Sequence, residues 1–296
     1  MLLPPQGVTP WIGRIGDAPR DEVVAFLTEA ARQIRIRDLQ LVYSKKAGHI
    51  GGEMSIADIL TTLILHTMNL DPANLDDPER DRLVVSKGHV AAILYTTLAA
   101  GGFLDPEELD TFLENESMLN GHPARTKVQA VEASTGPLGH GLPIATGMAL
   151  GAKIDGSPRR TYVVLGDGEM QEGSNWEAIM FAGHQKLTNL TAIVDRNRLQ
   201  QGATTRATNS LEPLTDRLRA FNWDVTEVDG HDIGALVDTF AATAGSSGKP
   251  TFVIANTHKG HPISYMSDNV AWHHKVPNSE QFEQALAELE ALKEEA

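Results

Sequence analysis

The chain has 296 residues, 41% of them hydrophobic, a net charge of −14 and no cysteine. That length and apolar fraction suffice to bury the core of one large or two small α/β domains. The negative balance argues against nucleic acid or an anionic membrane as partner, and the missing thiols exclude disulfides, thiolate metal sites and a cysteine nucleophile. Met1 to Arg20 lacks the basic start and long apolar stretch of a secretory signal, and no run has the length and apolarity of a bilayer span, so a cytoplasmic location is expected. Residues 1–20, broken by prolines and glycines, are expected to form an irregular leader, and residues 21–296 a single domain.

From Asp21 to Lys46, Val23, Val24, Leu27, Ala31, Ile34 and Leu41 recur at helical spacing, with Asp21 and Glu22 at the favourable end of the helix dipole. Ala47-Gly48-His49-Ile50-Gly51-Gly52 then predicts a sharply bent loop that presents His49. Ser55 and Asp58, spaced like a capping box, would open a second helix running to Met68. After a polar stretch from Asp71 to Asp81, Arg82-Leu83-Val84-Val85-Ser86 reads as a buried strand, Lys87-Gly88-His89 as a turn and Val90 to Ala100 as a helix. Strand, glycine turn and helix in that order set His89 at the carboxyl edge of a parallel sheet.

Asp105-Pro106-Glu107-Glu108 has the residues of a helix start. Asn120-Gly121-His122-Pro123 is a turn presenting another histidine. Ser134 to Gly141 is a Gly/Pro loop leading into a helix from Leu142 to Lys153, whose Ala145, Gly147, Ala149 and Gly151 permit close packing.

Thr161 to Leu165 and Leu190 to Val194 are short apolar, β-branched strands joined by a helix-like run. The first ends in Gly166-Asp167-Gly168 and the second in Asp195-Arg196-Asn197-Arg198-Leu199. Asn197 lies thirty residues beyond Asp167, a comfortable βαβ crossover that makes the two strand tips neighbours. A carboxylate and an amide oxygen held side by side suit a hard, oxygen-preferring cation, Mg²⁺ or Ca²⁺, that keeps positions for phosphate oxygens. Gly166 and Gly168 leave the backbone bare for a phosphate to approach. The prediction is a metal-bridged diphosphate site, locally neutralised against an acidic protein.

Further on, Glu212 to Phe221 reads as helix, Trp223 to Val228 as strand and Ile233 to Ala244 as helix. Pro250 to Asn256 is a strand ending in Thr257-His258-Lys259-Gly260, and Ser279 to Glu295 is an amphipathic helix. Strands alternate with helices throughout. The fold class is therefore α/β, a doubly wound, mainly parallel sheet with helices on both faces.

Gly-Asp-Gly followed about thirty residues later by Asn resembles the motif of thiamine-diphosphate enzymes, and the surrounding stretches resemble the transketolase family. Gly48-His49 with Gly51-Gly52 is similar to that family's first Gly-His loop, Ser86-Lys87-Gly88-His89 to its second, and Gly121-His122-Pro123 to its Gly-His-Pro turn. Thr135-Gly136-Pro137-Leu138-Gly139 resembles the loop that meets the aminopyrimidine ring, and Ala271-Trp272-His273 resembles a late Trp-His element. The resemblance runs from about Asp21 to Pro277.

It implies a thiamine-diphosphate-binding fold of the diphosphate-binding type. Asp167, Asn197 and the carbonyl of Leu199 would hold Mg²⁺ or Ca²⁺. His89, Gly136, Pro137, Leu138, Gly166, Asp167, Gly168, Glu172, Asn197, Gln201 and Lys259 would contact the cofactor. His49, His89, His122 and His273 would surround a two-carbon fragment taken from a sugar. His66, His184 and His231 are expected to be solvated or structural. His140 stands where the family leads one to expect Gln, and His274 where it leads one to expect Gly, so either His273 or His274 carries the late histidine's role.

The same resemblance exposes a missing part. The family's activating Glu belongs to a separate pyrimidine-binding domain, and Glu172 sits instead in the diphosphate half. The expectation is therefore the N-terminal subunit of a split transketolase, completed by a C-terminal subunit in an α2β2 heterotetramer. One rival is a subunit resembling deoxyxylulose-phosphate synthase or the α chain of a 2-oxo acid dehydrogenase. Another is a catalytically silent subunit of the same fold. A nicotinamide-binding domain would need a Gly-x-Gly-x-x-Gly turn that no strand here precedes.

Overall fold

The computed structural model describes residues 18–243 and 247–293, so the expected leader lies outside the described residues up to position 17. Arg20 already belongs to the first helix, α1 (Arg20–Lys45), and its guanidinium reaches Asp238 at 2.7 and 2.8 Å. The described residues hold a five-stranded sheet of β1 (Arg82–Val85), β2 (Thr161–Gly166), β3 (Leu190–Arg196), β4 (Asp224–Asp229) and β5 (Thr251–Asn256). Their order is β1-β2-β3-β5-β4, with each neighbouring pair parallel.

Alternation along each strand divides the interior in two. Tyr162, Val164, Ile193 and Val253 face one core, whereas Val163, Leu165, Ala192, Val194 and Ile254 face the other. This is the period of two that lets a parallel sheet be apolar on both faces. On the first face lie α1, α2 (Ile50–Thr62), α3 (Ala91–Gly101) and α8 (Ile233–Ala242), with α9 (Ser279–Ala291) packed on α1. On the second lie α4 (Gly141–Asp155), α5 (Gly173–Gln185) and α7 (Leu214–Ala220), while the short α6 (Thr205–Asn209) has no buried residue. The doubly wound reading of the sequence therefore holds. Each large aliphatic side chain buried this way contributes roughly 1.5–3 kcal/mol relative to leaving it in water.

Two local expectations fail for the same reason, which is that tertiary contacts claimed residues the sequence offered to turns. The loop expected through Gly52 ends at His49, and α2 begins at Ile50, with Gly51 and Gly52 in its first turn. A Cβ on Gly51 would stand 2.5 Å from the Trp272 carbonyl oxygen, so this glycine permits a close approach rather than a bend. Ser55 and Asp58 are not caps. Ser55 Oγ donates to Asp195 at 2.6 Å, and Asp58 accepts a two-pronged bond from Arg35 at 2.7 and 2.5 Å. The helix start at Asp105 yields a short 3₁₀ segment, Pro106–Thr111, with Asp105 accepting the Glu107 amide at 3.0 Å.

The Gly51 contact yields a test of this packing. Gly51→Ala should lower stability by about 1–3 kcal/mol, because backbone rather than a yielding side chain meets the new methyl. Urea unfolding of the purified chain reads this, and an unchanged midpoint would contradict the close approach.

Candidate active site

All the strand ends that matter open on the same rim. β1 delivers Ser86-Lys87-Gly88-His89, β2 delivers Gly166-Asp167-Gly168, β3 delivers Asp195 and Asn197, and β5 delivers Thr257 and Lys259. Of these, Lys87, His89, Gly166, Asp167, Gly168, Asn197 and Lys259 line a cleft of about 380 Å³, together with His49, Gly136, Leu138, Glu169, Glu172, Leu199, Gln201 and His273. A parallel sheet places its loops this way because every strand runs toward the same edge.

Asp195 is the hub, and nothing in the sequence motifs singles it out. It is fully buried (0% exposed), receives Lys87 Nζ at 2.6 Å and Ser55 Oγ at 2.6 Å, and is also hydrogen-bonded by the Thr257 hydroxyl. Asn197 Nδ2 donates to it at 3.1 Å. Burial alone would raise the Asp195 pKa, yet Lys87, Ser55 and Thr257 together hold it below the ordinary carboxylate value. Its one signal in the sequence is an acidic residue ending an apolar strand, a placement that is tolerable only with a cation such as Lys87 beside it.

Asp167 and Asn197 are presented together. The β2/β3 register sets Gly166 beside Asp195, and the Asp167 amide bonds the Asp195 carbonyl at 3.3 Å. Asp167 accepts the Gly168 and Arg198 amides at 2.8 and 2.7 Å, and Asn197 Oδ1 accepts the Leu199 amide at 3.1 Å. Arg198 between them has φ 63°, the left-handed turn that bends the chain so both amides face back into the rim. Burial, reinforced by Asp195, pushes Asp167 up to about 6. The Leu199 carbonyl accepts from Lys259 Nζ at 3.4 Å.

The glycines divide in purpose. A Cβ on Gly168, which lines the cleft, would come within 3.0 Å of Gln200 Cβ, so that glycine also makes room for a protein side chain. A Cβ on Gly166 would meet protein only at 3.8 Å, an ordinary contact, so the protein itself does not demand glycine there. Glu169, which the motifs also leave unmarked, braces the turn: it accepts the Gly166 and Gly139 amides, each at 3.0 Å, and the Ser86 hydroxyl. A carboxylate directly after Gly-Asp-Gly is the signal that could have found it.

The histidines converge. His49 lies 5.0 Å from His89, 6.5 Å from His122, 5.8 Å from His273 and 4.5 Å from His274, ring centre to ring centre. Burial pushes His49 down to about 4 and His273 to about 3, and holds His89 well below its usual value, with neighbouring imidazoles and lysines adding to each. Lys259, bonded to His273 Nδ1 at 2.7 Å, is lowered by burial and by Lys87 to about 8. One expected contact lies apart: Pro137 is exposed and outside the cleft lining, whereas Glu172 and Gln201 are exposed side chains that line it. His122 is exposed beside Gly136, whose φ of 150° and proximity to that ring leave no room for a Cβ. His274 stacks on His49, and His273 lines the cleft. His231 is structural, bonded to Asp58 at 2.9 Å, while His66 and His184 are exposed.

A family model described as transketolase, thiamine diphosphate binding domain, matches residues 27–289. The chain belongs to the transketolase family. It is 46% identical over 255 residues to one of the subunits of the apulose-4-phosphate transketolase of Phocaeicola vulgatus, covering 86% of this chain and 90% of that protein. It is 39% identical to the 6-deoxy-6-sulfo-D-fructose transketolase subunit SqwG of Clostridium sp., with 89% and 96% covered. The crystal structure of transketolase from Campylobacter jejuni superposes with a TM-score of 0.82 at 30% identity, over 89% of this chain and 42% of that one. This transketolase-family chain thus spans nearly the whole of the subunit relatives and less than half of the full-length enzyme. Among the described residues no helix is long and apolar enough to cross a membrane, and no three His, Cys, Asp or Glu side chains gather as a metal site.

Two measurements follow from this electrostatics. Lys87→Met should destabilise the chain by about 3–5 kcal/mol, because it strands the buried Asp195 charge, and urea unfolding would show it. Acidification should destabilise it too: His49 and His273 stay neutral in the fold down to about 4 and 3, while the unfolded chain takes up those protons from about pH 6.5 downward. Thermal unfolding between about pH 7 and about pH 4 should therefore show a loss that is smaller in the His49→Asn variant.

Proposed function

We propose that this chain is the cofactor-binding, N-terminal subunit of a split transketolase that moves a two-carbon ketol unit from a ketose to an aldose. Residues 21–296 form its thiamine-diphosphate-binding domain, and a C-terminal subunit supplies the pyrimidine-binding half with the activating Glu, in an α2β2 assembly placed in the cytoplasm. The observation that carries this reading is the meeting of Asp167, Asn197 and a ring of imidazoles on one sheet edge, in a chain similar along nearly their whole length to relatives named as transketolase subunits. Exposed Ile144, Ile154, Met180 and Phe181 leave apolar surface on α4 and α5, which supports a partner.

The residues fit the implied groups. Asp167, Asn197 and the Leu199 carbonyl offer three oxygens, which suit Mg²⁺ (or Ca²⁺) once diphosphate oxygens complete the set. The open side of Gly166 can admit a phosphate, and Lys87 and Lys259 add positive charge against the protein's acidic total. Gly136 and Leu138 line the same cleft for the rings, together with the exposed Glu172 and Gln201.

Thiamine diphosphate, when bound, supplies the electron sink that allows a carbon–carbon bond beside a ketose carbonyl to break. His49, His89 and His273, kept neutral by burial, can hold sugar hydroxyls and carry protons to and from them through the ring nitrogens that the protein leaves free. His122 reaches the same group from the exposed side. Lys259 orients His273 through Nδ1, leaving Nε2 for the sugar. The relatives are named for apulose-4-phosphate and for 6-deoxy-6-sulfo-D-fructose, and the donor for this chain belongs to the same class of phosphorylated or otherwise anionic sugars.

The chain purified alone should show no ketol transfer, and activity with a ketose donor should appear once the C-terminal subunit is added. Asp167→Ala together with Asn197→Ala should weaken Mg²⁺-dependent thiamine diphosphate binding by at least about 100-fold in calorimetric titration of the complex. Turnover by the single chain, or undiminished binding by the double variant, would refute the proposal.

A further inference from the structure

Lys259 stands in the cleft although β5 ends at Asn256, so the residues that lead to it are held by something other than the sheet ladder. The Thr257 hydroxyl bonds Asp195, the Lys259 carbonyl accepts the Asp268 amide at 2.8 Å, and the Gly260 amide donates to the Gly51 carbonyl at 2.8 Å. The His258 amide goes instead to a side chain outside the cleft lining, donating to His231 Nε2 at 2.9 Å. His231 is placed for this by its own loop, between β4 and α8. The Gly230 amide donates to the Asn256 carbonyl at 2.8 Å and the His231 amide to Asp229 Oδ1 at 2.9 Å, while a Cβ on Gly230 would stand 2.4 Å from Thr257 Cγ2. The loop is thus pressed against the residues that lead to Lys259.

A backbone N–H can only donate, so the Nε2 that receives it carries a lone pair, and the proton of the ring sits on Nδ1. That nitrogen faces Asp58 Oδ2 at 2.9 Å, which accepts it. Asp58 is gripped in turn by both terminal nitrogens of Arg35, at 2.7 and 2.5 Å, and Arg35 also donates to the Met54 carbonyl at 3.2 Å. Asp58 and Arg35 are 4% and 5% exposed. Burial would raise the Asp58 pKa, yet Arg35 and His231 hold it well below the ordinary carboxylate range, so it remains an acceptor. His261 covers one face of the His231 ring at 3.8 Å between centres, and burial pushes it down to about 3, which keeps a further positive charge off that face. We propose that His231 is a positioning residue for Lys259, anchored to Asp58 through one ring nitrogen and setting the His258 backbone with the other. The tethers on Thr257 and His258 then fix two successive residues before Lys259, whose Nζ meets His273 Nδ1 at 2.7 Å and the Leu199 carbonyl at 3.4 Å. What Lys259 does for a bound diphosphate rests on the proposed function, whereas its placement by His231 does not.

Substitutions that keep one nitrogen at a time test this in the full chain. An Asn amide ends near the place of Nδ1 and a Gln amide near that of Nε2. His231→Asn therefore keeps the bond to Asp58 and drops the His258 amide, while His231→Gln offers that amide an oxygen. At neutral pH the imidazole nitrogen resonances of the wild type should show His231 protonated on Nδ1 and bare on Nε2, and the opposite tautomer would overturn the proposal without any variant. Native-state hydrogen exchange of the His258 amide should quicken at least about tenfold in His231→Asn and return to within about threefold of wild type in His231→Gln, with the amides of β3 unchanged in both. Equal exchange in the two variants, or quickening that extends to β3, would mean general loosening and would also overturn it. In the two-subunit complex, His231→Asn should weaken thiamine diphosphate binding about tenfold in calorimetric titration, as loss of a partner behind a ligand does, and His231→Gln should restore most of it. Equal affinities for the wild type and the Asn variant would sever His231 from the work of Lys259. A wild-type complex with neither cofactor binding nor ketol transfer would sink the proposed function, while the resonance and exchange measurements on the free chain would still decide the placement.

Discussion

Asp195 is the constraint on which the cleft depends. A carboxylate with no exposure to water survives only if its desolvation is offset by close opposite charge and hydrogen bonds, and here these come from four different segments. Lys87 comes from the turn after β1, Ser55 from α2, Thr257 from the end of β5 and Asn197 from the same strand end as Asp195 itself. Each tether delivers a neighbour to the rim: Lys87 brings His89, Ser55 lies on the helix that His49 starts, and Thr257 precedes Lys259. The geometry of the site and the satisfaction of one buried charge are therefore a single problem.

The cleft then separates two electrostatic tasks. Its imidazoles are neutral because burial and adjacent positive charge both disfavour protonation. Positive charge resides instead on Lys87 and Lys259, near Asp167. This suits a site that must draw in an anionic group despite a net charge of −14 while keeping uncharged donors and acceptors over the place where a sugar would react. Asp167, pushed up to about 6, is a carboxylate whose charge the protein alone does not fully support, and a divalent cation would restore it.

Much of this was legible in one dimension because its signals are local. Apolar, β-branched runs ending in glycine and acid locate β2 and β3, and a crossover of fixed length makes their tips neighbours whatever else the fold does. Short glycine-bound histidines mark themselves as presented side chains. The reading failed where glycine and serine have more than one use: Gly51 admits a neighbouring carbonyl rather than bending the chain, and Ser55 serves Asp195 rather than a helix end.

By itself the sequence determined the parallel α/β architecture, the strand ends that carry Asp167 and Asn197, and His49, His89 and His122, since each follows from periodicity or from local loop and strand signals, whereas His273 was reached only through the family resemblance. Only the tertiary structure decided that Asp195 is the hub, that Glu169 braces the turn, and that His273 faces the cleft while His274 stacks on His49. Those facts depend on partners as far apart as Ser55 and Asp195, and the energy of a buried charge is set by what surrounds it in space.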